Sequence, residues 1–219
     1  LSVDLGFARL VLPSGRQVGV VDVPGHEKFM ANMLAGVTGM DLVMLIVDLT
    51  EGIMPQTKEH IEVIDLLDIK NGLVVLAKAD LVEDDWIELV EEEVREELCD
   101  TTFAEVPMVV VSAKTGRGID ELLQMLDAMV AETPPKNTEA PLRLPIDRAF
   151  LMPGLGTIIT GTLVSGRITV GEEVELLPSG LQGKVRQIQI HNESLKMAEA
   201  GQRVALNLPG MDQAKIKRG

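Results

Sequence analysis

Cysteine is almost absent. The 219 residues hold one, Cys99, which excludes an intrachain disulfide and any cysteine-based metal cluster. Histidine is nearly as scarce, and His26, His60 and His191 are too dispersed to offer a zinc-ligand spacing. A reducing cytosol is the expected setting. Long hydrophobic runs are missing too. The apolar stretch 42–47 falls far short of a bilayer span and no charged-then-apolar leader opens the chain, so no membrane role is expected. Basic charge is also in deficit: 20 Lys and Arg stand against 34 Asp and Glu, a net charge of -14 that argues against general nucleic-acid binding through phosphate neutralisation. The deficit is uneven, because residues 141–219 carry ten basic and seven acidic residues, which leaves ten and 27 for residues 1–140. The first part is acidic and the second mildly basic.

Alternating strand and helix patterns fill the first 133 residues. Segments 3–12 and 17–22, separated by Pro13-Ser14-Gly15, predict a hairpin. A helical stretch at 27–34 leads to the apolar run 42–47, then to a helix opened by Pro55 with Ile61, Ile64 and Leu67 on one face. Buried strands are expected at 73–76 and 108–111, and amphipathic helices at 84–98 and 119–130. Short β-branched runs between helices predict an α/β fold with a mostly parallel sheet covered on both faces. The polar, proline-rich segment 133–138 cannot continue a helix and reads as part of a linker over 134–140. From Leu142 onward, short β-rich segments punctuated by glycine turns predict a small antiparallel barrel over 141–219.

Three strand ends carry chemistry. Asp22-Val23-Pro24-Gly25-His26 sets a carboxylate where a strand ends and a tight glycine turn begins, the place where ligands bind in open nucleotide-binding sheets. There an Asp can hold Mg²⁺ through water and a glycine amide can approach a phosphate, although an isolated DxxG is equally a strand-turn-helix junction. Leu76-Ala77-Lys78-Ala79-Asp80 repeats the arrangement at a second strand end, and a carboxylate there can accept two N–H bonds from one edge of guanine, which adenine does not offer. Val111-Ser112-Ala113-Lys114-Thr115-Gly116 supplies small residues at a third. His60, on a polar helix face, is expected to be solvated. Gly154-Leu155-Gly156-Thr157 lacks the preceding strand and following helix of a dinucleotide loop and reads as a hairpin or bulge.

These motifs, in this order, resemble the guanine-nucleotide domain of translational GTPases, whose DxxG is followed by His, whose base-reading motif is [NT]KxD, and in which SA[KL] follows. The resemblance covers 1–133 and implies GTP and Mg²⁺ as ligands. It places Asp22 in the magnesium shell with Ser2, Gly25 at the γ-phosphate switch and His26 beside the hydrolytic water, with Lys78 and Asp80 reading guanine and Ser112 and Ala113 closing over its carbonyl edge. Two positions depart from the family. Ala77 replaces the usual Asn or Thr and loses a side-chain hydrogen bond, and Ser2 replaces a threonine while keeping the hydroxyl. The phosphate-cradling GxxxxGK[ST] is absent from the 219 residues, and the chain starts with Leu1. The family's first strand, which lies between the strand ending at Asp22 and the one ending near Asp48, is expected to be missing, leaving an open sheet edge. The expectation is a fragment of a longer protein that by itself neither binds GTP well nor turns it over.

The second part resembles the selenocysteine-specific elongation factors in Leu144-Pro145-Ile146-Asp147-Arg148-Ala149-Phe150, in Gly154 to Thr162 and in Ala200 to Asn207, as does the stretch from Pro24 to Gly36. That resemblance implies a carrier of selenocysteyl-tRNA to the ribosome, with GTP hydrolysis as the release switch and with Asp147, Arg148 and Arg203 around the aminoacyl group. Family members read an mRNA hairpin through further modules, and a monomer is expected. The alternatives are a GTPase carrying another tRNA, as the initiation-factor type does, and a nucleotide-independent binding fragment. Without the resemblance, Asp147 and Arg148 read as a structural ion pair and Arg203 as a solvated residue.

Overall fold

The computed structural model describes residues 5–25, 39–190 and 193–217. They form two compact units divided between Thr133 and Pro134, with Gly39 belonging to the second.

The first unit is built on the three-stranded parallel sheet β3 (Val43–Asp48), β4 (Gly72–Ala77) and β5 (Met108–Val110), in that spatial order. Alternation along β4 sends Val74 and Leu76 to one face and Leu73 and Val75 to the other. The first face is covered by α1 (Pro55–Leu66) through Ile61 and Ile64 and by α2 (Asp84–Leu98) through Ile87, Val90, Val94 and Leu98. The second is covered by α3 (Ile119–Glu132) and by Leu10, Leu12 and Val18 of the hairpin β1 (Gly6–Val11) and β2 (Gln17–Asp22). A sheet clad on both faces explains why its strands read as continuous apolar runs.

The hairpin forms a sheet of its own, and β3 has no partner on its outer side among the described residues. Ile46 on β3 is 54% exposed. Leu67 departs from expectation. It caps the C-terminus of α1 and stays exposed, since the helix ends one residue before its side chain would join the Ile61–Ile64 face.

The second unit is antiparallel. A five-stranded sheet runs in the order β12 (Glu193–Leu195), β11 (Gln187–Ile190), β14 (Arg203–Leu208), β7 (Gly156–Thr162) and β6 (Ile146–Met152). Two ribbons accompany it, β8 (Arg167–Thr169) with β13 (Met197–Glu199) and β9 (Glu173–Leu176) with β10 (Leu181–Lys184). One apolar core joins them, with Ile146, Ile159, Ile188, Val204 and Leu206 from the large sheet and Ile168 and Ala198 from one ribbon. The first of the β-rich segments expected from Leu142 onward supplies only the bridge of Arg143 to Ser165, and the strand proper starts at Ile146. Residues 153–155 form the turn of the β6–β7 hairpin, and Gly156 and Thr157 already pair with β6. Gly161 lies so close to the Pro145 carbonyl that a Cβ would stand 2.2 Å from the oxygen, so only glycine admits the entry of β6 here.

Candidate functional site

In the first unit, the parallel register brings the C-terminal ends of β3, β4 and β5 side by side, Asp48 opposite Ala77 and Leu76 opposite Val110. The residues just beyond β4 and β5 interlock. Ser112 is fully buried and its hydroxyl donates to Asp80 Oδ1 at 2.6 Å, while its oxygen accepts the Thr115 N–H at 3.1 Å. Lys114 Nζ stands 3.6 Å from Asp80 Oδ2. The Ser112 hydrogen bond, helped by Lys114, holds the Asp80 carboxyl below its ordinary 3.8, so it stays an ionised acceptor in a fixed orientation. Ala113 is exposed on the same loop. That loop depends on Gly118, which has φ +70° and leaves no room for a Cβ, since one would lie 2.0 Å from the Val110 carbonyl oxygen.

Lys78 follows β4 in the left-handed region at φ 65°, unusual for a residue with a side chain. Backbone hydrogen bonds on either side hold it there, from Ala79 N to Val111 O at 3.1 Å and from Leu81 N to Lys78 O at 3.0 Å. Its ammonium pairs with Asp48 Oδ2. The hydrogen bond and charge of Asp48 raise the Lys78 pKa above 10.5. Partial burial pushes Asp48 upward, but hydrogen bonds from Lys78 and Thr50 outweigh it and leave Asp48 below 3.8. Asp48 entered the sequence reading only as a strand end. Its signal was available, because it closes the run 42–47 as Asp22 closes 17–22.

Asp22 ends β2, exposed and opposite Gly6, on the separate hairpin sheet. Gly25 is exposed, and a Cβ on it would lie 3.5 Å from His60 Cε1. His60 is therefore not the solvated residue expected. It is half-buried, and that burial lowers its pKa below 6.5 against the opposing charge of Glu59. Ser2 and His26 lie outside the described residues.

In the second unit the strand β6 carries a bulge: Ile146 pairs with Gly161 and Arg148 with Thr160, so Asp147 is the extra residue. A bulge re-aims its side chain. Asp147 is 7% exposed, accepts from the Thr160 hydroxyl, and receives Arg203 Nε at 3.2 Å and Nη2 at 2.9 and 3.1 Å. The carboxylate thus engages Arg203 as a fork, the geometry for which a guanidinium is suited. Arg203 is neither solvated nor remote. Arg148 lies half-buried at the next position of β6, with its Nε sequestered from solvent. Thr160, which the sequence reading did not single out, joins the cluster because it stands across from Arg148 on β7.

Residues 2–132 match the family described as elongation factor Tu GTP binding domain, and residues 156–219 that described as elongation factor Tu domain 2. The first match spans more than half of the chain, which belongs to this family of translational GTPases. Among similar proteins, the selenocysteine-specific elongation factor of Desulfomicrobium baculatum is 46% identical over the whole chain, which covers 34% of that relative. The factor of the same name from Escherichia coli K12 is 39% identical, again over the whole chain and 36% of the relative. Among solved structures, elongation factor SelB from Methanococcus maripaludis, in complex with the GTP analogue GppNHp, superposes with a TM-score of 0.92 at 34% identity, covering all of this chain and 48% of that one. The chain spans about a third of the length of these curated relatives.

Proposed function

We propose that the chain supplies the guanine-reading strand ends and the aminoacyl-binding unit of a GTP-dependent elongation factor that delivers selenocysteyl-tRNA to the ribosome. The observation that carries the cargo is the Asp147–Arg203–Thr160 cluster with Arg148 beside it. The guanidinium groups of Arg203 and Arg148 stand side by side there, and an anionic selenolate is favoured beside fixed guanidinium groups. A selenol ionises more readily than a thiol, whereas the serine hydroxyl of misacylated tRNA stays neutral and gains less, so the cluster discriminates by charge. Asp147 fixes the Arg203 guanidinium in advance, so little reordering attends binding.

The base end of GTP fits the first unit. Guanine presents an N–H and an NH₂ on one edge, Asp80 offers two acceptor oxygens held by Ser112, and the Lys78 stem gives an apolar surface for the ring. Ala113 closes the carbonyl edge. Asp22 and Ser2 are assigned to magnesium, Gly25 to the γ-phosphate switch, and His26 to orienting the attacking water. A magnesium ion at such a site is held chiefly by water and phosphate oxygens, with few protein ligands. Hydrolysis supplies the irreversible step that separates the gripping and releasing forms. The factor acts as a monomer in the cytoplasm, and segments outside this chain read the mRNA hairpin. No described helix is long and apolar enough to cross a membrane.

The test is protection of the aminoacyl ester against spontaneous hydrolysis by the full-length protein with GTP, comparing selenocysteyl-tRNA with seryl-tRNA on one tRNA body. Preference for the first is expected. Equal protection reassigns the cargo to another tRNA, and no protection of either favours a nucleotide-independent binding fragment.

A further inference from the structure

Asp48 belongs to none of the motifs above, yet it is the residue that Lys78 reaches. We propose that Asp48 is a positioning residue for the guanine site, holding the Lys78 side chain across the strand ends in place of the side-chain hydrogen bond that Ala77 cannot make. This rests on the nucleotide reading of that crevice.

The placement is specific. Asp48 and Ala77 are register partners on β3 and β4, so the carboxylate stands beside the position whose side chain is missing. It is also anchored. Asp48 Oδ1 accepts from the Thr50 N–H at 2.9 Å and from its hydroxyl at 2.7 Å, which leaves Oδ2 for the ammonium. The backbone that follows is clamped from two sides, by Leu49 N to Ala77 O at 3.0 Å and by Trp86 Nε1 to Leu49 O at 2.7 Å. Lys78 needs such a tether, because its side chain is 55% exposed and carries several freely rotating bonds. A tethered stem lies along the crevice before a base arrives, so less side-chain entropy is lost when the ring packs against it. The left-handed backbone of Lys78 serves the same end, since it sets the direction from which the side chain reaches Asp48.

The experiment measures release of fluorescent GDP and GTP by stopped flow from the full-length protein, its Asp48→Asn and Lys78→Met variants, and the double variant. Asp48→Asn is expected to speed release about fivefold, the scale of a partly exposed ion pair. GDP and GTP are affected equally, because the pair lies at the base end. Asp48 acts only through Lys78, so the double variant matches Lys78→Met alone, and Asp48→Glu, which keeps the charge, recovers most of the slow release. A merely structural role gives independent, multiplying effects in the double variant. If Asp48→Asn does not fold, Thr50→Val, which loosens the carboxylate alone, shifts release in the same direction by less. Wild-type rates in Asp48→Asn, multiplying effects, or a change confined to GTP overturn the assignment while leaving the nucleotide reading intact. A folded wild-type protein that binds neither nucleotide removes that reading and this inference together.

Discussion

Replacing Arg203 with Met tests whether the second-unit cluster is held together by charge. The substitution keeps most of the apolar stem and removes the contacts to Asp147 at 2.9 to 3.2 Å. Asp147 cannot follow into solvent, because its side chain is 8% exposed, and it loses the whole guanidinium fork while keeping the Thr160 hydroxyl. A fully buried carboxylate stripped of its partner costs about 3–5 kcal/mol. Here Arg203 is 26% exposed, so water reaches part of the vacated space, and a loss of about 2 kcal/mol is expected. Urea unfolding followed by far-ultraviolet circular dichroism measures it. Trp86, the sole tryptophan, lies in the first unit and reports by fluorescence whether that unit is untouched. Replacing both partners, Asp147→Leu with Arg203→Met, recovers most of the loss because the buried carboxylate is removed together with its guanidinium. An unchanged midpoint for Arg203→Met, or a double variant worse than the single one, refutes the reasoning. In the full-length protein, the same single variant loses its preference for selenocysteyl-tRNA over seryl-tRNA in the ester-protection assay.

Gly118→Ala forces a side chain into the Val110 carbonyl and is expected to cost about 3 kcal/mol or more, with guanine nucleotides released faster as the Ser112 loop shifts; calorimetry and nucleotide release check both. His60 has a folded pKa below its unfolded 6.5, so stability is full above 6.5 and declines as the pH falls toward the folded value. His60→Gln removes that slope from a pH series of unfolding midpoints. Asp48, held below 3.8, contributes fully above that value and loses its contribution as the pH falls through its folded pKa. Lys78, raised above 10.5, contributes fully below 10.5 and loses its contribution as the pH rises through its raised pKa. The stability difference between wild type and Asp48→Asn is therefore level near neutrality and shrinks at both extremes, which unfolding across the pH range measures. Asp80→Asn exchanges one acceptor for a donor, so release of GDP quickens while that of xanthosine diphosphate, whose base carries a carbonyl where guanine has its NH₂, slows.

The sequence by itself determined the layered first unit, because a strand buried on both faces must be continuously apolar and a covering helix must repeat its apolar residues every three or four positions. It determined the gathering of Lys78, Asp80 and Ser112 at neighbouring strand ends for a related reason. Residues that end successive parallel strands are brought together by the topology, so their order along the chain carries their spatial meaning. Long-range partners were decided only by the tertiary structure. Asp147 and Arg148 are adjacent in sequence and read as a pair, yet the bulge at 147 turns the carboxylate to Arg203, 56 residues on. The lattice of β pairings, not local pattern, fixes which two strands meet. Asp48 and Lys78 were likewise legible only as two separate strand ends, until parallel register and a left-handed turn at Lys78 joined them. His60 followed the same rule. Its helix face is polar in sequence, yet the fold half-buries the ring, which no local periodicity encodes.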